Sequence, residues 1–229
     1  VSLLPAFLHP VVAKDCVRLK KHFVSASYVG DEMRALHEAA VEAGIILLNE
    51  IGLDPGIDHM SAMQLIDEVK AKGGVIACFE SYTGGLIAPE SFDKLNWLGL
   101  FDETPVFEYP DPTKLYSPAQ ILQHLLEQKW TLAPGDKDMC VMMHVMDYTL
   151  DNVTRRIYSS MVATGKDEVY TAMAKTVGLP AAIATKMILT GAIKKTGVVI
   201  PVTPDIYNPV LKELADNYAI QFVESTITL

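Results

Sequence analysis

In the first part of the chain, short continuous apolar runs alternate with stretches whose apolar residues recur at helical spacing. "VSLL" reads as the end of a buried strand that Pro5 breaks, and "HPVVAKDCVRLKK" then sets Val12, Cys16 and Leu19 on one helical face. "HFVSASY" is a second short strand. From Asp31 onward Met33, Leu36, Ala40 and Ala43 keep helical spacing, and Gly44 stands where a left-handed C-terminal cap belongs. "IILLNEIG" is a third strand, apolar on both faces; Asp54, Pro55 and Gly56 then make a turn. Met60, Met63, Ile66 and Val69 predict a helix that stops at Gly73 and Gly74, and "VIACFESY" is a fourth strand. This alternation predicts an α/β fold with a parallel sheet covered on both faces. Ligands of such sheets bind outside the carboxyl ends of the strands, so "SLLP", "SASY" and "EIGLDPG" are expected to border one crevice.

After "GGLIAPESFDK" the character changes. "LNWLGLFDETPVFEYPDPTKLYSP" is rich in proline and aromatic residues and has little periodicity, which places a boundary near Asp93 to Leu95. A helix is expected from about Ala119 to Lys129. "DMCVMMHVMDY" and "VTRRIYSSMVA" flank "TLDN" as a hairpin, the second arm alternating Val153, Arg155, Ile157, Ser159 and Met161. "DEVYTAMAKTVG" and "PAAIATKMILTG" predict two helices joined at Gly178 and Leu179, with Pro180 as a first helical residue. Thr203 before Pro204 marks the start of a last helix that Pro209 is expected to shorten or kink, and "AIQFVEST" is a final strand.

Composition narrows the chemistry. With 229 residues, half of them hydrophobic, the chain can bury a sizeable core as one or two domains. The net charge of −9, without a long single-sign block, argues against nucleic acid as a partner. Cys16, Cys78 and Cys140 lie far apart and predict reduced thiols rather than a disulfide framework or a zinc site. No apolar run approaches the ~20 residues of a membrane span, so no membrane partner is expected.

No G-x-G-x-x-G, P-loop, G-x-S-x-G or H-E-x-x-H occurs in these residues. Asp54 and Asp58 flank a turn at a helix start, where carboxylates complement the helix dipole or cap it. His59 at the same helix start reads as a surface or hydrogen-bonded histidine, and Ser25, Ser27 and Tyr28 as ordinary strand-end groups. "MCVMMHVM" reads as sheet packing, because a lone His144 among thioethers suits no hard cation.

Five motifs in order change these odds: "SLLPAFLHPVVAKDC", "SASY", "NEIGLDPGIDHMSAM", "SYTGGLIAPE" and "AMAKTVGLPAAIATKMILTG". Together they resemble the saccharopine dehydrogenases of the glutamate-forming type. The resemblance implies a partial Rossmann-type parallel sheet with a returning α+β C-terminal segment. Residues 1–93 would be the second part of a Rossmann dinucleotide-binding domain, and 94–229 a C-terminal α+β segment returning to it, the inserted substrate domain being largely absent. It implies an enzyme of lysine metabolism that interconverts saccharopine with glutamate plus 2-aminoadipate semialdehyde, using NADP or NAD. By the same likeness Leu4 and Pro5 border the nicotinamide, Ala26 and Leu53 also line the dinucleotide, and Ser27, Tyr28 and Asp54 hold saccharopine. No general base is assigned. The resemblance further implies a homodimer in the intact enzyme and a cytoplasmic location, mitochondrial for a bifunctional animal-type enzyme.

Two departures accompany the likeness. The family's glycine-rich fingerprint is expected upstream of Val1, and the chain runs from "APESFDK" to "LNWLGL" where the family carries a long inserted domain. Both lead to the expectation that the chain alone does not turn over saccharopine, and leave a non-catalytic Rossmann-like module as the alternative. Thr83 replaces the cysteine of the family's "SYCGG", a hydroxyl that still hydrogen-bonds.

Overall fold

The computed structural model describes residues 1–87, 132–229 and, between them, 117, 120, 123, 126 and 127. The expected boundary at 93–95 lies outside the described residues. Of the expected helix 119–129, Gln120, Gln123, Leu126 and Glu127 are described, and they are helical.

Among the described residues two sheets organise the fold. The first is parallel, in the order β1 (Phe23–Val24), β2 (Ile46–Leu48) and β6 (Gly197–Val199). Phe23 pairs with Leu47, and Leu47 with Val198. Side chains alternate across a strand, and here both faces are covered. Leu47 packs with Phe23, Ala13, Met33, Ala40 and Ile45 beneath α1 (His9–Arg18), α2 (Asp31–Arg34) and α3 (His37–Glu42). Ile46 and Leu48 face the main core on the other side. Val12 and Cys16 pack against the first of these clusters as expected, whereas Leu19 follows the last turn of α1 and is exposed. The helical pattern from Asp31 is realised as two short helices, and Gly44 does take a left-handed φ of 69°.

The second sheet is antiparallel, in the order β3 (Val75–Ile87), β4 (Asp138–Leu150), β5 (Val153–Thr164) and β7 (Val223–Thr228). The expected hairpin is present, turning through Asp151 and Asn152, both at positive φ as two-residue hairpin turns require. Ile157, Ser159, Met161 and Ala163 point inward on β5.

Three expectations are corrected. "VIACFESY" lies in β3, paired with β4 rather than in the parallel sheet; its alternation, with Ile76 and Phe79 half-buried and Glu80 and Tyr82 exposed, suits a strand covered on one face. The third parallel place is filled by β6, too short and too close to two glycines and lysines to stand out by pattern. "VSLL" forms no strand, although the Ser2 amide donates to the Val24 carbonyl (2.8 Å) along the edge of β1.

A fourth correction concerns the helices. α5 (Ala172–Leu189) is continuous through Pro180, and α6 (Pro204–Tyr218) is not shortened by Pro209. A proline interrupts one carbonyl four residues earlier, but the buried stripe Ala172, Thr176, Ala181, Ile183, Ala184 and Met187 outweighs that single lost bond in α5. By length and composition α5 is apolar enough to cross a membrane, a property shared with core helices; its buried stripe packs in the main core with α4 (Ile57–Ala71) and α6.

Candidate functional site

Beyond Val24 and Leu48 the chains of β1 and β2 stay tied to each other. The Ser25 amide donates to the Leu48 carbonyl (2.9 Å), the Glu50 amide to the Ser27 carbonyl (3.1 Å) and the Ile51 amide to the Ser25 carbonyl (3.4 Å). Asn49 donates to the Val199 carbonyl at 3.0 Å. Residue 2 is anchored at Val24, and the ring of His9 at Ser25, whose Oγ lies 3.0 Å from His9 Nδ1. The segment carrying Leu4 and Pro5 therefore runs between these two anchors, with Leu4 lining a cavity together with Val12, Cys16, His22 and Phe23.

The turn after β2 is closed on itself. The Gly52 amide donates to the Pro55 carbonyl (2.9 Å), the Ile57 amide to the Gly52 carbonyl (2.9 Å) and the Asp58 amide to the Leu53 carbonyl (3.1 Å). Gly56 has φ 149°, and a Cβ there would lie 2.1 Å from the Gly52 carbonyl oxygen, so only glycine fits. Gly52 in turn lies against Ala26, leaving no room for a side chain.

These two closures bring Tyr28 and Asp54 together: the phenol donates to Asp54 Oδ1 at 3.0 Å. That bond is the main reason the phenol's pKa is raised, with burial and the carboxylates of Asp54, Asp58 and Glu50 adding to it. Tyr28 is 65% exposed, so the pair faces solvent. Ser27 is half-buried beside it; its amide is used by Ser25 Oγ (3.0 Å), which leaves its hydroxyl as the group free to face a ligand. Leu53 is 5% exposed and belongs to the main core, so it can offer a ligand only its backbone.

Beneath the exposed pair lies a charged cluster. Glu50 Oε1 accepts from the Val29 amide (2.9 Å), Glu50 Oε2 lies 3.0 Å from His59 Nε2, and Asp58 Oδ2 lies 3.0 Å from His59 Nδ1. The bond to Asp58 lifts the imidazole most; burial opposes it, Glu50 adds to it, and its pKa reaches about 8. Burial works to raise the Asp58 carboxyl, but bonds from His59 and from the Gly56 amide hold it below the usual carboxylate range. His59 is thus a hydrogen-bonded histidine, and Asp58 a cap of the Gly56 amide.

His144 behaves as packing. It is fully buried, lies 2.7 Å from Ser61 Oγ and stacks on Phe222, and burial lowers its pKa. Among the described residues no group of histidine, cysteine and carboxylate side chains could hold a metal ion. Thr83 sits on β3 opposite Met142, with its side chain exposed. The motifs assign Glu50 no role, although an acidic residue close after a fully apolar strand is a signal, since a buried carboxylate demands partners.

This geometry has known counterparts. Residues 52–94 and 89–220 match the family model described as saccharopine dehydrogenase C-terminal domain, and residues 1–48 match the one described as saccharopine dehydrogenase NADP binding domain. That second model is named for NADP, where the sequence left NADP and NAD both open. An alpha-aminoadipic semialdehyde synthase of Arabidopsis thaliana is 58% identical over 89 residues, 39% of this chain and 8% of that protein. A saccharopine dehydrogenase [NADP(+), L-glutamate-forming] of Saccharomyces cerevisiae is 27% identical over 374 residues, covering 99% of this chain and 84% of that protein. An alignment of that span for a chain of 229 residues means that the yeast protein carries a long internal segment without counterpart here. A solved structure of the apo yeast saccharopine dehydrogenase (L-Glu forming) superposes with a TM-score of 0.83 at 25% identity, over 99% of this chain and 84% of that one. Relatives from rat, mouse and cattle are named mitochondrial. The chain spans between 8% and 84% of the length of the first two relatives. With three quarters of its length matched by the C-terminal domain model and its opening residues by the NADP binding domain, the chain belongs to the saccharopine dehydrogenase family.

Proposed function

We propose that this chain forms part of an NADP-dependent oxidoreductase of lysine metabolism that interconverts saccharopine with glutamate plus 2-aminoadipate semialdehyde. The observation that carries the reading is the Tyr28–Asp54 hydrogen bond at the carboxyl ends of a parallel sheet, next to residues matching an NADP binding domain. A solvent-facing carboxylate fits the secondary ammonium of saccharopine as a charge-assisted partner. Tyr28 occupies one Asp54 oxygen and leaves the other for that ammonium. The free hydroxyl of Ser27 suits a substrate carboxylate.

The residues also fit the nicotinamide end of the dinucleotide. Leu4 and Pro5 are exposed, Ala26 presents a single methyl, and the buried Nε2 of His9 nearby has no protein partner. Leu53 contributes through its backbone. NADP, when bound, supplies or accepts the hydride; the chain's own part is to orient the carbon that is an imine in one direction and a secondary amine in the other. This reading goes with a homodimer, and with the cytoplasm or, for a bifunctional enzyme, the mitochondrion.

The test is saccharopine binding by calorimetry to the purified chain and its Asp54→Asn variant. Asparagine caps a helix about as well as aspartate, so stability should hold. Loss of a charge-assisted hydrogen bond, about 1.5–3 kcal/mol, should weaken saccharopine roughly ten-fold to over a hundred-fold. Equal affinity in both proteins would return Asp54 to the role of a turn residue.

A further inference from the structure

Tyr28 and Asp54 are both exposed, and an exposed hydrogen bond between flexible loops does not by itself fix a geometry. The rigidity comes from below. Glu50 holds both neighbours of Tyr28, its amide donating to the Ser27 carbonyl (3.1 Å) and its Oε1 accepting from the Val29 amide (2.9 Å). Its other oxygen meets His59 Nε2, and His59 Nδ1 meets Asp58, which also accepts from the Gly56 amide two residues after Asp54. Glu50 does this from a left-handed backbone, φ 56°, a conformation that disfavours any residue with a Cβ. A charged residue that is buried, strained and doubly bonded between two loops is placed there for a reason other than packing.

We propose that Glu50 and His59 are the positioning residues of this site: the Glu50 carboxylate, bridging the Val29 amide and the His59 ring, locks the Tyr28 loop to the Asp54 turn. The pair then meets substrate as one preformed unit. That Tyr28 and Asp54 serve saccharopine rests on the function proposed above; the clamp itself does not. The bonding pattern also fixes the charge state. Both ring nitrogens of His59 face carboxylates, which only accept, so both contacts are made only by the doubly protonated imidazolium. The charged groups that face it are Asp58 from the start of α4 and Glu50 from the loop after β2; the Asp58 charge is also felt by His144 on β4 and, with those of Asp54 and Glu50, by the Tyr28 phenol in the loop after β1. Deprotonation of His59 releases one of the two carboxylates.

The experiment follows Tyr28 directly, by NMR of ring-labelled tyrosine in the 229-residue chain, with Tyr28→Phe assigning its signal among the nine tyrosines. The expected result is that Glu50→Ala returns the raised phenol titration toward the ordinary value near ~10 and speeds hydrogen exchange of the Val29 amide at least about tenfold. His59→Ala should give the same change, and Glu50→Gln, which keeps an acceptor for Val29, should restore the amide's protection. Met142→Ala, a core change on β4, controls for general loosening and should leave the Tyr28 titration alone. A folded Glu50→Ala chain with an unmoved Tyr28 titration overturns the proposal; if that variant does not fold, an unmoved titration in His59→Ala does so. Saccharopine binding separates the two readings. Wild-type chain that fails to bind it sinks the proposed substrate while the Tyr28 data still judge the clamp. Equal saccharopine affinity in wild type and Glu50→Ala sinks the positioning role alone.

Discussion

At the carboxyl ends of the parallel sheet the strands are two and three residues long, and the chain beyond them is held by side chains and closed turns. The antiparallel sheet, in contrast, runs twelve and thirteen residues on its central strands and buries a methionine-rich face. One region derives its geometry from specific polar bonds and glycines, the other its stability from ladder length and apolar area. The difference explains why the candidate site sits where it does. Positions that must be set to a fraction of an ångström are tied by directional bonds, while the mass of the core needs only volume and alternation.

Substitutions at glycines break that comparison most sharply. Gly56→Ala would drive a methyl into the Gly52 backbone at a φ of 149°, so the Asp54 turn has to open, at an expected loss of about 4 kcal/mol or more in urea unfolding. Gly84→Ala on β3 meets nothing within 4 Å and should change stability by no more than about 0.5 kcal/mol. A Gly56→Ala chain as stable as wild type would show that the turn is not built as described. Next in size is Met142→Ala, which empties a fully buried side chain between the sheets and should cost about 2–5 kcal/mol while leaving the Tyr28–Asp54 bond intact.

The same contrast decides what could be read from the sequence. Alternation along Val153 to Met161 and the turn at Asp151 and Asn152 are local signals, and the hairpin follows them. Gly44 ends its helix for a reason visible in one residue. The family's ordered motifs also located the ends of β1 and β2, and the structure brings Tyr28 and Asp54 within hydrogen-bond distance there. What escaped was non-local. β3 joins the antiparallel sheet, and β6 returns to the parallel one, because of partners more than fifty residues away in sequence. α5 crosses Pro180 because its buried stripe meets α6 and the sheets, which propensity does not register. Glu50 does not stand out in the sequence because its partners, Val29 and His59, come from two other segments.

A pH titration sharpens the comparison at intermediate size. His59 has a folded pKa of about 8 against an ordinary 6.5, raised first by Asp58. A raised folded value stabilises fully below the unfolded pKa and is lost as pH climbs through the folded one. The chain should therefore lose on the order of 1–2 kcal/mol between pH 6.5 and 8 from this group, and His59→Gln should flatten that window. Urea midpoints at several pH values give the answer; an unchanged slope in the variant would detach His59 from the effect.

The smallest expected effect lies away from both regions, on the exposed seam between α5 and α6. Lys186 Nζ lies 2.6 Å from each Glu213 oxygen, yet the lysine side chain is 58% exposed. Close approach alone does not make such a pair stabilising: both side chains surrender rotamer freedom, water competes for each charge, and salt screens what is left. The helices it spans are already joined by Ile183, Met187, Val210 and Leu214 in the main core. Lys186→Met keeps the apolar stem of the lysine and removes only the charge. The expected change is about 0.2–1 kcal/mol at low ionic strength, shrinking further at 1 M salt. A loss as large as that of Met142→Ala, undiminished by salt, would mean that this ion pair and not the apolar seam docks α6, and would remove the distinction between polar bonds that set geometry and apolar area that sets stability.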